Sequence, residues 1–147
     1  MSKLYTEDEV IINAPISKVW EALIDPAITK KYMFGCEVEC DWKLGSPVIW
    51  RGAEDGIEYV TGTLVQFEKE KCFAFTTFDP HGEYEDAPEN YLTATYTLSS
   101  DDRGTTLKVT QGDYAAVAEG QKRYEDTLAQ GGWSSVLDQI KAILEQS

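Results

Sequence analysis

Histidine is nearly absent from this chain, cysteine is scarce, and long apolar runs are missing. With His81 the only imidazole, no histidine cluster is available to hold a metal ion. The cysteines number three, Cys36, Cys40 and Cys72. An odd count points to reduced thiols and a cytoplasmic setting rather than a disulfide framework. Cys36 and Cys40 share a strand face roughly 13 Å apart at about 3.3 Å per residue, too far for a mutual disulfide in a straight strand. No window approaches the roughly 18 apolar residues of a membrane span. Met1 to Val10 carries Lys3, Glu7, Asp8 and Glu9 and no apolar segment, so a secretory leader is not expected there. Positive charge is also short, with 13 basic against 26 acidic residues and a net charge of −13. Such a chain repels phosphate backbones and anionic bilayers, which argues against nucleic acid and membrane partners.

What is present is globular: 42% apolar and 12% aromatic residues over 147 positions. That length suits one domain spanning residues 1–147, able to bury about two-thirds of its unfolded surface. Leu4 to Ile12 is a strand candidate. Pro15 opens a short helix whose stripe is Ile16, Val19, Trp20 and Leu23. Asp25-Pro26 repeats the signal, cap then proline, for a second short helix to Met33, stopped by Gly35. From Cys36 the apolar period becomes two. Strands are expected at Cys36–Trp42, Pro47–Arg51, Glu58–Glu68, Cys72–Phe78, Tyr91–Leu98 and Thr105–Gln111. Gly62 suggests a bulge or bend inside one of them. Asp79 to Asn90 is a long polar loop. Gly120 to Gln146 reads as one amphipathic helix of roughly 40 Å at about 1.5 Å per residue. Gly131-Gly132 interrupts its stripe beside Trp133, at about 1 kcal/mol per glycine relative to alanine. One strand, two short helices, six strands in successive hairpins and a long helix make an α+β fold with an antiparallel sheet.

The run Ile11-Ile12-Asn13-Ala14-Pro15, with Val19-Trp20-Glu21-Ala22-Leu23 and Asp25-Pro26, resembles the opening of the START-like (SRPBCC) superfamily. Gly62 with Leu64-Val65, the Cys72–Thr77 strand, Gly104-Thr105-Thr106-Leu107, and Gly131-Gly132-Trp133 with Val136 and Leu137 agree with it. Together they resemble the branch named after the C-terminal domain of the activator of the heat-shock-protein-90 ATPase, from about Leu4 to Leu144. The resemblance implies a helix-grip fold: a seven-stranded curved antiparallel sheet wrapped around a long C-terminal helix, with two short helices closing one end. It also implies a hydrophobic cavity between helix and sheet.

The candidate cavity lining is Tyr32, Phe34, Val38, Trp42, Trp50, Phe75, Phe78, Tyr96, Gly132, Trp133 and Leu137. Each is equally at home as plain core. Two features favour a pocket near Gly132 and Trp133: several rings carry polar tips, and the glycine pair removes side-chain volume. Arg51 could meet a ligand carboxylate if it points inward, or pair with a neighbouring Glu if it points outward, which is the favoured orientation. Asp113 is the other candidate polar contact, at the cavity mouth. His81 is a conceivable base, but its loop reads as solvated. Asp79, Glu83, Glu85, Asp86 and Glu89 lack the spacing of a calcium loop. The thiols read as buried structural groups with no further soft ligand, so no metal site is expected. There is no nucleophile elbow or phosphate-binding glycine loop, so no catalytic residue and no cofactor is assigned.

The expected function is therefore binding of a small hydrophobic or aromatic ligand without catalysis. A cyclase or aromatase-like enzyme is the alternative, with Arg51 paired with Tyr96 or Asp113 polarising a carbonyl. A protein-interaction module related to chaperone regulation is the third reading, acting through an acidic face. The partners expected are a small apolar molecule and, for the third reading, a protein or a second copy of the chain.

Overall fold

The computed structural model describes residues 5–78, 80, 91–117, 119–129 and 133–145. Their order is β1 (Thr6–Ile12), α1 (Ile16–Ile24), α2 (Pro26–Tyr32), β2 (Cys36–Glu39), β3 (Pro47–Gly52), β4 (Glu58–Glu68), β5 (Cys72–Thr77), β6 (Leu92–Asp101), β7 (Gly104–Gly112), a 3-10 turn (Tyr114–Ala116), α3 (Gly120–Ala129) and α4 (Ser134–Glu145). The seven strands form one curved antiparallel sheet in the order β1-β7-β6-β5-β4-β3-β2.

The short helices start where their side chains dictate. Asp25 Oδ1 accepts from the Ala27 N–H at 2.9 Å, and Pro26 occupies the first turn. The Tyr32 hydroxyl donates to the Ala22 carbonyl at 2.8 Å, tying α2 to α1. Thr29, wholly buried, accepts from the Val38 N–H at 3.1 Å and so joins α2 to β2. These bonds fix the segment from Met33 to Cys36 over one end of the sheet.

Gly62 stands where β4 passes close to β5. A Cβ there would fall 1.6 Å from the Thr76 carbonyl oxygen, so only glycine permits that approach. The register shifts lie to either side, at Trp50/Arg51 and between Leu64 and Gln66. The expected strand Cys36–Trp42 ends at Glu39, because the backbone turns left-handed at Trp42 (φ 59°).

The expected single C-terminal helix is two helical segments, α3 and α4. The Gly131-Gly132 pair lies outside the described residues, as does the His81 loop with Asp79, Glu83, Glu85, Asp86 and Glu89. The two segments differ sharply in packing. On α4, Val136, Leu137 and Ile140 are buried in the main core with Ile12, Val19, Trp20, Leu23, Leu64, Phe73, Phe75, Tyr96, Leu107 and Val109. On α3 only Gly120 is buried, and Tyr124 packs against a small separate cluster of Leu92, Tyr114 and Val117. The far end of α4 is clamped to β1: Lys141 Nζ donates to the Ile11 carbonyl at 2.7 Å and the Asn13 N–H to Glu145 Oε2 at 2.8 Å. Among the described residues no helix is long and apolar enough to cross a membrane.

Candidate functional site

Strand β5 leads from solid core to open space. Its inward residues are Phe73, Phe75 and Thr77, spaced by two. Phe73 is enclosed: Trp20, Trp42 and Tyr96 meet it edge-on, with centroids at 5.5, 5.5 and 4.8 Å. Two residues on, Phe75 still packs against Trp50 at 6.2 Å and Tyr96 at 5.8 Å, but it also faces a cavity. Thr77 and Phe78 belong to the cavity wall.

That cavity measures about 560 Å³. Its apolar wall comes from Met33 and Phe34 after α2, Trp50 on β3, Val60 on β4, Phe75 and Phe78 at β5, Leu92 on β6, and Trp133 before α4. Phe34 is 83% exposed and Tyr59 41% exposed, so the cavity reaches the surface beside them. Phe34 takes a left-handed backbone (φ 54°) ahead of Gly35, an uncommon conformation for a bulky residue that throws its ring outward at this rim.

The polar part of the wall is small and connected. Gln111, on β7, accepts at Oε1 from Trp133 Nε1 at 3.2 Å and from the Tyr114 hydroxyl at 3.3 Å. Its Nε2 donates to Thr77 Oγ1 at 3.2 Å, and Thr77 donates to the Leu92 carbonyl at 3.0 Å. Trp133 is held a second time, its backbone N–H donating to Asp8 Oδ2 at 3.0 Å. Arg123 completes this part of the wall from α3. The Thr127 hydroxyl donates to the Arg123 carbonyl at 2.9 Å and lies 3.4 Å from the Tyr114 hydroxyl, which in turn bonds Gln111.

Among the described residues, two other titratable groups touch the cavity, and both are shifted away from ionisation. Burial, then the nearby Asp55 carboxylate, pushes the Cys36 thiol up. The hydrogen bond to Asp55, then partial burial, raises the Tyr59 phenol. Asp55 moves the opposite way: the Tyr59 hydroxyl and the Ile57 N–H hold its carboxyl low.

Of the residues singled out from the sequence, Phe34, Trp50, Phe75, Phe78 and Trp133 stand on the cavity wall. Tyr32, Val38, Tyr96 and Leu137 are packed into the core instead, and Trp42 is half-buried against Phe67 and Phe73. They share the inward face but occupy its filled part. Tyr32 and Tyr96 are so enclosed that burial drives both phenols well above their ordinary range. Gly132 lies outside the described residues. Arg51 points outward and bonds Glu39 at 2.7 Å and the Gly56 carbonyl at 3.0 Å. Asp113 caps the 3-10 turn, accepting from the Ala115 N–H at 2.9 Å. The Arg51–Tyr96 pair needed for carbonyl polarisation is not assembled.

Met33, Cys36, Tyr59, Val60, Thr77, Leu92, Gln111 and Arg123 also stand on the wall, and the sequence assigns none of them to a cavity. Thr77 and Gln111 had a usable signal. Each is the polar residue that continues an inward alternation, after Phe73 and Phe75 and after Leu107 and Val109. Among the described residues no cluster of metal-binding side chains occurs.

The same fold recurs in solved proteins. A Cytophaga hutchinsonii protein, solved in solution, is 38% identical, with 99% of this chain covering 97% of that one at a TM-score of 0.75. The Aha1 dimer from Colwellia psychrerythraea is 16% identical, with coverage of 97% and 96% and a TM-score of 0.71. DynU16, from the dynemicin biosynthetic locus, is 16% identical with a TM-score of 0.72; 98% of this chain matches 48% of that one. The last two show a shared fold. No curated protein matches the chain. The match to the family described as activator of Hsp90 ATPase homolog 1-like protein runs over residues 13–145, and the chain belongs to that family.

Proposed function

We propose that the protein binds a small, largely apolar molecule in the cavity between β3–β7 and the segment around Trp133. The supporting observation is the cavity itself. At about 560 Å³ it falls within the 300–1,000 Å³ of small-molecule sites, and its wall is mostly apolar with a few placed polar groups. A ligand seated there removes Trp50, Phe75, Phe78 and Leu92 from any residual contact with water. That is the standard hydrophobic gain, about 25 cal/mol per Å².

Binding suits the wall better than catalysis does. The thiol and phenol it presents are shifted toward their neutral forms, the reverse of an activated nucleophile or base. Native mass spectrometry of protein purified from its source is expected to show a retained small molecule. Val60→Trp, which places an indole at the wall, is expected to lose it while the thermal midpoint is kept. Absence of a retained molecule, combined with no thermal shift from a panel of lipids and aromatics, would overturn the proposal.

A further inference from the structure

We infer that the molecule taken by this cavity carries an uncharged oxygen acceptor, of the ketone or aldehyde kind, that receives an Nε2 hydrogen of Gln111 while its apolar body lies along Phe75 toward Trp50. This rests on the binding function just proposed and specifies the ligand's chemistry, with Gln111 as the residue that selects it.

The first observation is how the Gln111 amide is oriented. The Trp133 indole N–H can only donate, so the amide atom facing it at 3.2 Å is the oxygen. The Tyr114 hydroxyl donates to the same oxygen at 3.3 Å. The amide nitrogen is thereby turned to Thr77, and gives it one hydrogen. Thr77 spends its own hydrogen on the Leu92 carbonyl. Among the described residues the second Nε2 hydrogen of Gln111 meets no acceptor, and Gln111 stands on the cavity wall. The hydrogens of the other polar tips are used inside the protein: Trp133 on Gln111 and Tyr59 on Asp55. What the wall offers at Gln111 is a donor, so the complementary group is an acceptor.

The second observation sets the charge of that acceptor. An apolar ligand would strip water from the Gln111 N–H and replace it with nothing, which costs the full desolvation of the donor. A carbonyl oxygen replaces the water. A carboxylate would lose far more hydration than one amide N–H returns in a mostly apolar wall. Arg123, on the same wall, already has an interaction of its own. The chain's net charge of −13 also opposes an anion's approach. The neutral acceptor is the one this wall favours.

The third observation gives the ligand a length. Phe75, Ala94 and Gln111 are register partners across β5, β6 and β7. Two strand spacings put the Phe75 and Gln111 backbones about 10 Å apart. Ala94, between them, raises only a methyl group from the sheet. Trp50 extends the apolar side beyond Phe75, with the ring centroids 6.2 Å apart. A carbonyl attached to a fused aromatic body reaches from the amide to those rings.

Three probes of matched shape test this with the full chain, titrated by calorimetry: 2-acetonaphthone, 2-ethylnaphthalene and 2-naphthoate. The wild type is expected to bind the ketone roughly threefold to tenfold tighter than the hydrocarbon, and tighter than the acid. Gln111→Glu keeps an acceptor for the Trp133 and Tyr114 hydrogens and removes the donor, so the ratio of ketone to hydrocarbon affinity should fall to one or below. An infrared spectrum of the wild type with the ketone, carbon-13 labelled at its carbonyl, should show the stretch below its position in hexane. That measurement decides alone where Gln111→Glu does not fold. Equal affinity for ketone and hydrocarbon, tighter binding of the acid, a preference that survives Gln111→Glu, or a stretch at the hexane position overturns the inference and leaves apolar binding standing. Failure of all three probes to bind overturns both.

Discussion

The two ends of strand β5 lie in one sheet, four residues apart, and are treated in opposite ways. At Phe73 the space is solid: Trp20 from α1, Trp42, Phe67 and Tyr96 close around the ring. At Thr77 and Phe78 the same face opens into a cavity. The cause is what lies over each end. Helix α4 presents Val136, Leu137 and Ile140 to the filled end. Helix α3 buries only Gly120, and reaches the sheet through Tyr114, Tyr124 and a polar chain to Gln111. An amphipathic helix fills the face it covers, whereas a polar one leaves room beneath it. Stability therefore concentrates at one end, and the proposed binding at the other.

That division can be broken by mutation. Phe73→Ala should carry the largest cost, about 3–5 kcal/mol, because the ring is enclosed and its neighbours cannot collapse. Urea unfolding checks this through a lowered midpoint at unchanged slope. Phe78→Ala removes the same ring from a site already facing open space, with Tyr91 stacked on it at 4.9 Å. Its cost should be no more than about half as large, with ligand affinity the main loss. Equal costs at the two positions would erase the distinction.

The smallest effect is in the pH response. Glu145, at the filled end, is held low by the Asn13 N–H and then by Lys141. Its folded pKa lies below the ordinary 4.5, so its contribution is present above that value and lost as pH falls through the lowered one. Cys36, at the cavity, has a folded pKa above 9.0. Its contribution is complete below 9.0 and fades as pH rises through the raised value. Glu145→Gln should flatten only the acid limb of a stability–pH curve, and Cys36→Ser only the alkaline limb. Thermal melts across the pH range read both limbs.

Much of the fold was legible because its signals are local. Asp25-Pro26 is a cap and a first turn wherever it occurs, and the alternation through β6 and β7 requires no partner to be recognised. The continuous C-terminal helix was over-read. Apolar spacing carried across residues 120–146 makes one stripe of what are two segments with different packing. The site was half legible for a related reason. Period two tells which face Tyr96 and Phe78 share, and says nothing about where along that face the space is filled. Arg123 carried no signal at all, since an arginine in a polar helix is ordinarily a solvated one.

What the sequence by itself determined is the seven strands and two short helices, the antiparallel sheet, the family, and which strand faces turn inward. Each follows from neighbours a few positions apart and from spacing repeated along the chain. Only the tertiary structure decided which inward residues enclose one another and which enclose a cavity. It also decided that Arg123 stands on that wall while Arg51 pairs with Glu39 away from it. Those outcomes depend on how two helices divide one sheet face, a matter of contacts between residues far apart in the chain.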